Sequence, residues 1–244
     1  MSAAANLKAV LERLRAAAER AGRAPESVRL IAVSKKQPSS ALREVYAAGQ
    51  RDFGENYAQE LAAKAEELLD LRDVRWHVIG HLQRNKAKLV APLASRVHTL
   101  DSLELALELE RRFAIARSEP SARLPVLIEV SIAGEAQKSG VSPQGLGALI
   151  DAVERLPHLQ LEGLMCMPPL AESARAARPY FDALAELRER HGGALRLPEL
   201  SMGMSQDFEE AVAAGATWVR VGTAIFGARE SIPGASANAV GDEP

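Results

Sequence analysis

The strongest constraint in this chain is a rhythm. Eight short β-compatible runs recur along it: Val28–Ser34, Asp52–Asn56, Arg75–Gly80, Arg96–Asp101, Val126–Ile132, Gln160–Met167, Glu199–Met202 and Thr217–Val221. Between them lie Pro38–Ala48, Ala58–Leu69, Arg84–Leu93, Leu103–Ala116, Pro143–Leu156, Ala174–Arg190 and Gln206–Ala214, rich in the Ala, Leu, Glu and Arg of helices. In Leu103–Ala116, for instance, Leu103, Leu107 and Glu110 read as one face and Glu104 and Glu108 as another. Strands that alternate with helices pair in parallel, and eight such units close most simply into a (β/α)8 barrel of TIM type. An open doubly wound sheet satisfies the same alternation and is the alternative.

Local signals agree with that reading. Leu7, Val10, Leu11 and Leu14 recur at helical spacing and predict an extra amphipathic helix before the first strand. Pro38 and Pro143 suit first helical turns, Ser142 suits a cap, and Gly49 and Gly215 suit helix C-terminal ends. No composition shift marks a second domain within the 244 residues, so the barrel is expected over residues 1–230. The remainder, 231–244, with its Pro, Gly, Ser, Ala and Asn, is expected to be a disordered tail.

Composition removes several function classes. A net charge of −2 gives no electrostatic case for nucleic acid or an anionic membrane. One cysteine, Cys166, allows neither an internal disulfide nor a cysteine metal cluster, and in Leu164-Met165-Cys166-Met167 it reads as a small buried apolar residue. No run reaches the roughly 18 apolar residues of a membrane span. Charged Lys8, Glu12, Arg13 and Arg15 interrupt the N-terminus where a signal peptide would be apolar, so a cytoplasmic protein is expected.

Barrel enzymes carry their chemistry at the C-terminal ends of strands. Here those ends supply Ser34-Lys35, Gly54-Glu55-Asn56, Gly80, Thr99-Leu100-Asp101-Ser102, Ser201-Met202-Gly203-Met204-Ser205 and Arg220-Val221-Gly222-Thr223. Gly203 and Gly222 each precede a helix, where backbone N–H groups can meet a phosphate, and Ser205 and Thr223 add hydroxyls. Arg220 lies between Val219 and Val221, so it needs a buried partner. A lysine, a phosphate cup and a strand arginine together point to a phosphorylated aldehyde held as a Schiff base, with pyridoxal 5'-phosphate (PLP) the obvious candidate. Each residue also has a plainer reading. A strand-end lysine can be solvated, Asn56 can cap a helix, and His77 can be a hydrogen-bonded core histidine.

Strand alternation leaves the choice of lysine open. Leu30, Ala32, Ser34 and Lys36 share one face, and Ile31, Val33 and Lys35 share the other. Either face could turn inward.

The strings Ala32-Val33-Ser34-Lys35, Phe53-Gly54-Glu55-Asn56-Tyr57, Trp76-His77-Val78-Ile79-Gly80, Leu82-Gln83-Arg84-Asn85-Lys86, Leu200-Ser201-Met202-Gly203-Met204-Ser205 and Val219-Arg220-Val221-Gly222-Thr223-Ala224-Ile225-Phe226-Gly227 resemble the pyridoxal phosphate homeostasis proteins. The likeness runs from the first helix to Gly227. It implies a fold-type-III barrel, related to the alanine racemase N-terminal domain, that binds PLP without an established reaction. By the same resemblance Lys35 is the Schiff-base lysine and Arg220 faces the pyridine nitrogen. Met202, Ser205, Gly222 and Thr223 fall where the family grips the cofactor, and Asn56 and His77 fall on its rim. Lys138 resembles a second lysine near the pocket mouth, with a role in cofactor exchange; a solvated loop lysine is the plainer alternative.

The resemblance implies a PLP carrier or buffer, a monomer whose partners are PLP and PLP-requiring apoenzymes. An amino-acid racemase with His77 as base is the alternative, and a sugar-phosphate barrel enzyme using Lys35 is a third. Racemases of this fold carry a second, mostly β domain that supplies a catalytic tyrosine. The chain is expected to lack one, since it stops soon after the eighth strand, and Tyr46, Tyr57 and Tyr180 fall in or beside outer helices.

Overall fold

The computed structural model describes residues 2–117, 119, 121–134, 139–169 and 172–227. The elements follow in chain order as α1 (Ala3–Arg20), β1 (Arg29–Val33), α2 (Ser39–Ala47), β2 (Asp52–Glu55), α3 (Ala58–Glu67), β3 (Arg75–Val78), α4 (Ala87–Val90), β4 (Ala94–Leu100), α5 (Leu103–Ala116) and β5 (Leu124–Glu129). They continue as α6 (Leu146–Val153), β6 (Leu159–Met165), α7 (Ala174–Arg190), α8 (Gly193–Arg196), β7 (Glu199–Ser201), α9 (Phe208–Ala213), β8 (Trp218–Val221) and α10 (Thr223–Phe226). All eight expected strands are present, and the strands pair in sequence order with every neighbour parallel. Closure comes from β1 against β8, with Ile31 opposite Arg220 and Ala32 opposite Val221, which removes the open-sheet alternative.

Strand alternation divides the barrel wall into two environments. Leu30, Ala32, Phe53, Trp76, Val78, Val97, Val219 and Val221 belong to the main apolar layer between strands and helices. Ile31, Ile79 and Trp218 form a separate cluster, with Val33 against it, and this is the apolar filling inside the barrel. The face that carries Ile31 and Val33 is therefore the inner one, and Lys35 continues it. Helix α1 buries Leu7, Val10 and Leu14 against α9 and α10, while Leu11 is largely exposed. Its start is fixed by Ser2, whose Oγ accepts the Ala5 N–H at 3.2 Å.

Several local expectations need correction. Helix α5 has the expected bounds but buries Leu105, Ala106, Leu109 and Phe113, leaving Leu103 and Leu107 exposed. Ser142 Oγ accepts the N–H of Gly145 in the turn before α6 rather than capping the helix, whose N-cap is Gly145. Pro38 occupies the N-cap of α2, one position before the first turn. Asn56 does not cap α3, because Tyr57 holds that position without a side-chain bond. The short helices α8 and α10 were not legible as separate elements. The tail 231–244 and Lys138 lie outside the described residues.

Below the apolar cluster the barrel interior is polar. Asp52 accepts from Arg75 Nε and Nη2 at 2.7 and 2.6 Å and bonds His77 Nε2 at 2.9 Å. His77 Nδ1 in turn lies 2.9 Å from His98 Nε2, and both rings pack beside Trp218. Burial raises the Asp52 carboxyl, but the bonds from Arg75 and His77 outweigh it and hold the group well below its usual range. An ionised Asp52 needs a proton on His77 Nε2. His77 Nδ1 then accepts, so His98 carries its proton on Nε2 and leaves Nδ1 as an acceptor. Two neutral imidazoles satisfy these two bonds, and His98 Nδ1 at the end of this hydrogen-bond chain has no hydrogen-bond partner among the described residues. At this end Arg29, partly exposed, pairs with Glu199 and stacks on Trp218, and Arg96 pairs with Glu162, so these charges are matched.

Candidate functional site

The C-terminal ends of the strands surround a cavity of about 360 Å³, a size ordinary for a small-molecule site. Val33 and Lys35 enter it from β1, Asn56 from the end of β2, Ile79 from the end of β3, and Arg220 from β8. Lys35 is half-buried there, whereas Lys36 is exposed. The inner face of β1, which alternation left open, is the one that leads to Lys35, so Lys35 and not Lys36 lines the cavity.

Arg220 is almost wholly buried, at 3% exposure, and is held rather than loose. Nη1 donates to Ser201 Oγ at 2.7 Å and Nη2 to the Cys166 carbonyl at 2.9 Å. Burial lowers the pKa of Arg220, yet an arginine so placed stays charged at neutral pH. Those two bonds use two of its five N–H groups, and the guanidinium lines the cavity. Cys166 has no role as a nucleophile. It is 1% exposed, and burial pushes its thiol up to about 12 despite the Arg220 charge.

A corner of glycines and hydroxyls forms where β7 and β8 end. Ser205 Oγ accepts the Gly222 N–H at 3.2 Å, which ties the two loops together beside Thr223. Gly203 makes the first of these turns with φ +91°, and a Cβ there would come within 2.5 Å of the Ala211 Cβ. Asp207 Oδ1 accepts the Met204 N–H at 2.6 Å and so closes the same loop from its far end. Burial raises the Asp207 carboxyl, with the Met204 bond opposing. At Gly222 a Cβ would stand 3.3 Å from Val33, so the backbone comes bare to the cavity wall.

Six expected site residues, Lys35, Asn56, Ser205, Arg220, Gly222 and Thr223, therefore share one cavity. Two do not. His77 is 1% exposed inside the barrel, bonded to Asp52 and His98, and the residue of its strand that reaches the cavity is Ile79, two positions on. Burial lowers its pKa, with Asp52 opposing. Met202 points outward into the helix-facing core, because Ser201 takes the inner position of β7 to meet Arg220. Sequence reasoning missed Met167, Pro169, Ser173 and Ala174, which close the cavity from the β6–α7 side. Only Ser173 carried a signal, as the N-cap of α7 whose Oγ accepts the Ala176 N–H at 3.3 Å.

This donor set fits PLP: one amine, a buried arginine, and two hydroxyls with a bare backbone turn at one corner. The comparisons with known proteins agree. The family described as alanine racemase, N-terminal domain, matches residues 5–230. A pyridoxal phosphate homeostasis protein of Pseudomonas aeruginosa is 48% identical over 93% of this chain and 96% of its own. The structure of PipY of Synechococcus elongatus with PLP bound is 41% identical, with a TM-score of 0.74 over 87% of this chain and 98% of that one. An alanine racemase of Corynebacterium glutamicum shares only the fold, at 20% identity and a TM-score of 0.60 over 63% of its length. The barrel, its ordered rim motifs and these relatives together show that the chain belongs to the pyridoxal phosphate homeostasis proteins, within the alanine racemase N-terminal domain family.

Proposed function

We propose that this protein binds PLP in the rim cavity, with Lys35 as the residue joined to it, and that it stores and releases the cofactor rather than catalysing a reaction with it. The observation that carries this reading is the make-up of the cavity. Among its described lining residues the ionisable groups are Lys35, Asp207 and Arg220, and neither a tyrosine nor a histidine lies there.

When bound, PLP would supply an aldehyde carbon, and Lys35 would be the amine to hold it. Ser205, Thr223 and the Gly222 turn would hold its phosphate, and Asn56 would flank the ring. Arg220 would face the ring nitrogen with a guanidinium that can donate a hydrogen bond but not accept one, which would keep that nitrogen unprotonated and the ring a weak electron sink. Racemisation also needs two proton carriers, one on each face of the substrate carbon. Lys35 can be one. Asp207 is engaged with the Met204 amide, His77 is sealed below the cavity, and Tyr46, Tyr57 and Tyr180 do not line it. The name given to the relatives supports the same reading. PLP-requiring apoenzymes are the recipients this reading calls for, in the cytoplasm, with the protein acting as a monomer.

The test loads the protein with PLP, removes the excess and mixes it with a PLP-requiring enzyme stripped of cofactor. Recovery of that enzyme's activity, without D-alanine from L-alanine in the carrier alone, is the expected result. D-alanine formed faster than free PLP produces it would overturn the carrier reading in favour of a racemase.

A further inference from the structure

Behind the wall of the site, outside the cavity, lies a buried ion cluster that the mechanism above does not use. Lys64 of α3 is 5% exposed. Its Nζ donates to the Ser34 carbonyl at 2.6 Å, to Glu55 Oε1 at 2.7 Å and to Glu60 Oε1 at 2.8 Å. Three acceptors match the three N–H bonds of an ammonium. Ser34 Oγ donates to the same Glu55 oxygen at 2.6 Å. Glu60 Oε1 accepts the backbone N–H of Lys36 as well.

These bonds converge on one turn. The Gln37 N–H donates to the Ser34 carbonyl at 3.0 Å, so Ser34-Lys35-Lys36-Gln37 is a four-residue turn with the two lysines at its centre. Lys36 has φ +60° and is the non-glycine residue with positive φ among those described. That third position of a turn suits glycine, and a lysine keeps it only where the surroundings hold it there. Lys64 binds the carbonyl that opens the turn, and Glu60 binds the amide at its strained residue.

We propose that Lys64 and Glu60 are positioning residues for cofactor attachment, holding this turn in the conformation that sends Lys35 into the cavity and Lys36 to solvent. The proposal rests on the PLP reading above. It explains why a cationic residue is buried behind the strand, where an apolar one would pack at lower cost in desolvation.

Glu60 stands at the partly exposed edge of the cluster, so Glu60→Ala leaves the barrel core untouched. With PLP, borohydride and peptide mapping, the unaltered protein should be labelled at Lys35. Glu60→Ala should attach PLP about tenfold more slowly and divide the trapped label between Lys35 and Lys36. Adding Lys36→Gly to that variant should restore the rate, because glycine holds a positive φ without the clamp. Attachment at the unaltered rate in Glu60→Ala, with Lys35 alone labelled, would overturn the proposal. So would a slowed rate that Lys36→Gly fails to restore. Absence of label anywhere in the unaltered protein would instead sink the PLP assignment.

Discussion

The neutral imidazole pair inside the barrel makes stability depend on pH, and His98→Gln isolates the effect. His98 is fully buried, and its pKa falls well below the ordinary histidine value, from burial first and then from His77, Arg96, Arg220 and Arg29. The folded state therefore keeps His98 neutral where the unfolded chain, with a pKa of about 6.5, takes up a proton. A group with a depressed folded pKa contributes stability above the unfolded value and loses it as pH falls. The slope approaches about 1.4 kcal/mol per pH unit, so going from about pH 7 to about pH 5 costs about 2 kcal/mol at this one site. Glu55, Glu129 and Asp207, whose carboxyls burial raises, act in the opposite sense, because the folded state holds their protons longer. They are common to both proteins and cancel in a comparison. A glutamine amide can still donate to His77 Nδ1 but does not titrate. Urea unfolding of both proteins across that range should show the unaltered protein losing about 2 kcal/mol more than His98→Gln. Parallel pH profiles would refute the argument, since they would mean that His98 is protonated in the fold or not buried.

Three other expectations follow from single contacts. Gly203→Ala forces a side chain onto φ +91° and against Ala211 and Phe208, and should cost about 3 kcal/mol in urea unfolding. Asp52→Asn takes the carboxylate from half-exposed Arg75 and buried His77 and should cost about 1–2 kcal/mol, read as a lower unfolding midpoint near neutral pH. Cys166, buried with its thiol near 12, should react with a thiol reagent only as fast as the protein opens, and rapidly in urea. Prompt labelling of the native protein would contradict that placement.

The barrel was legible because its signal is repeated eight times, and each strand needs only a short apolar run between helix-forming stretches. The glycine-and-hydroxyl corner of the cavity was legible for a similar reason, since a Gly-Thr and a Gly-Met-Ser close adjacent late strands. What escaped depends on which way a side chain faces. Lys35 and Lys36 could not be separated from within β1, because the choice is made across the barrel where Ile31 meets Ile79 and Trp218. His77 sits two residues short of the rim, a distance that its motif does not express and that alternation back from Ile79 would have shown. Met202 is outward because Ser201 is inward, and that follows only once Arg220 has found its partner. On α5 both leucine faces fit a helix, and packing against the barrel chose Leu105 and Leu109 over Leu103 and Leu107. Lys64 gave no signal, since a lysine in a helix is ordinarily solvated and its three acceptors come from the turn after β1, from β2 and from its own helix.

The central claim is that Lys35, carried inward by β1, is the residue that takes the cofactor. Incubating the protein with PLP, reducing with borohydride and locating the added mass by peptide mapping tests it directly. The account predicts one phosphopyridoxyl group on Lys35 and an unmodified Lys36. Label on Lys36 or another lysine in place of Lys35, or none at all, would contradict it.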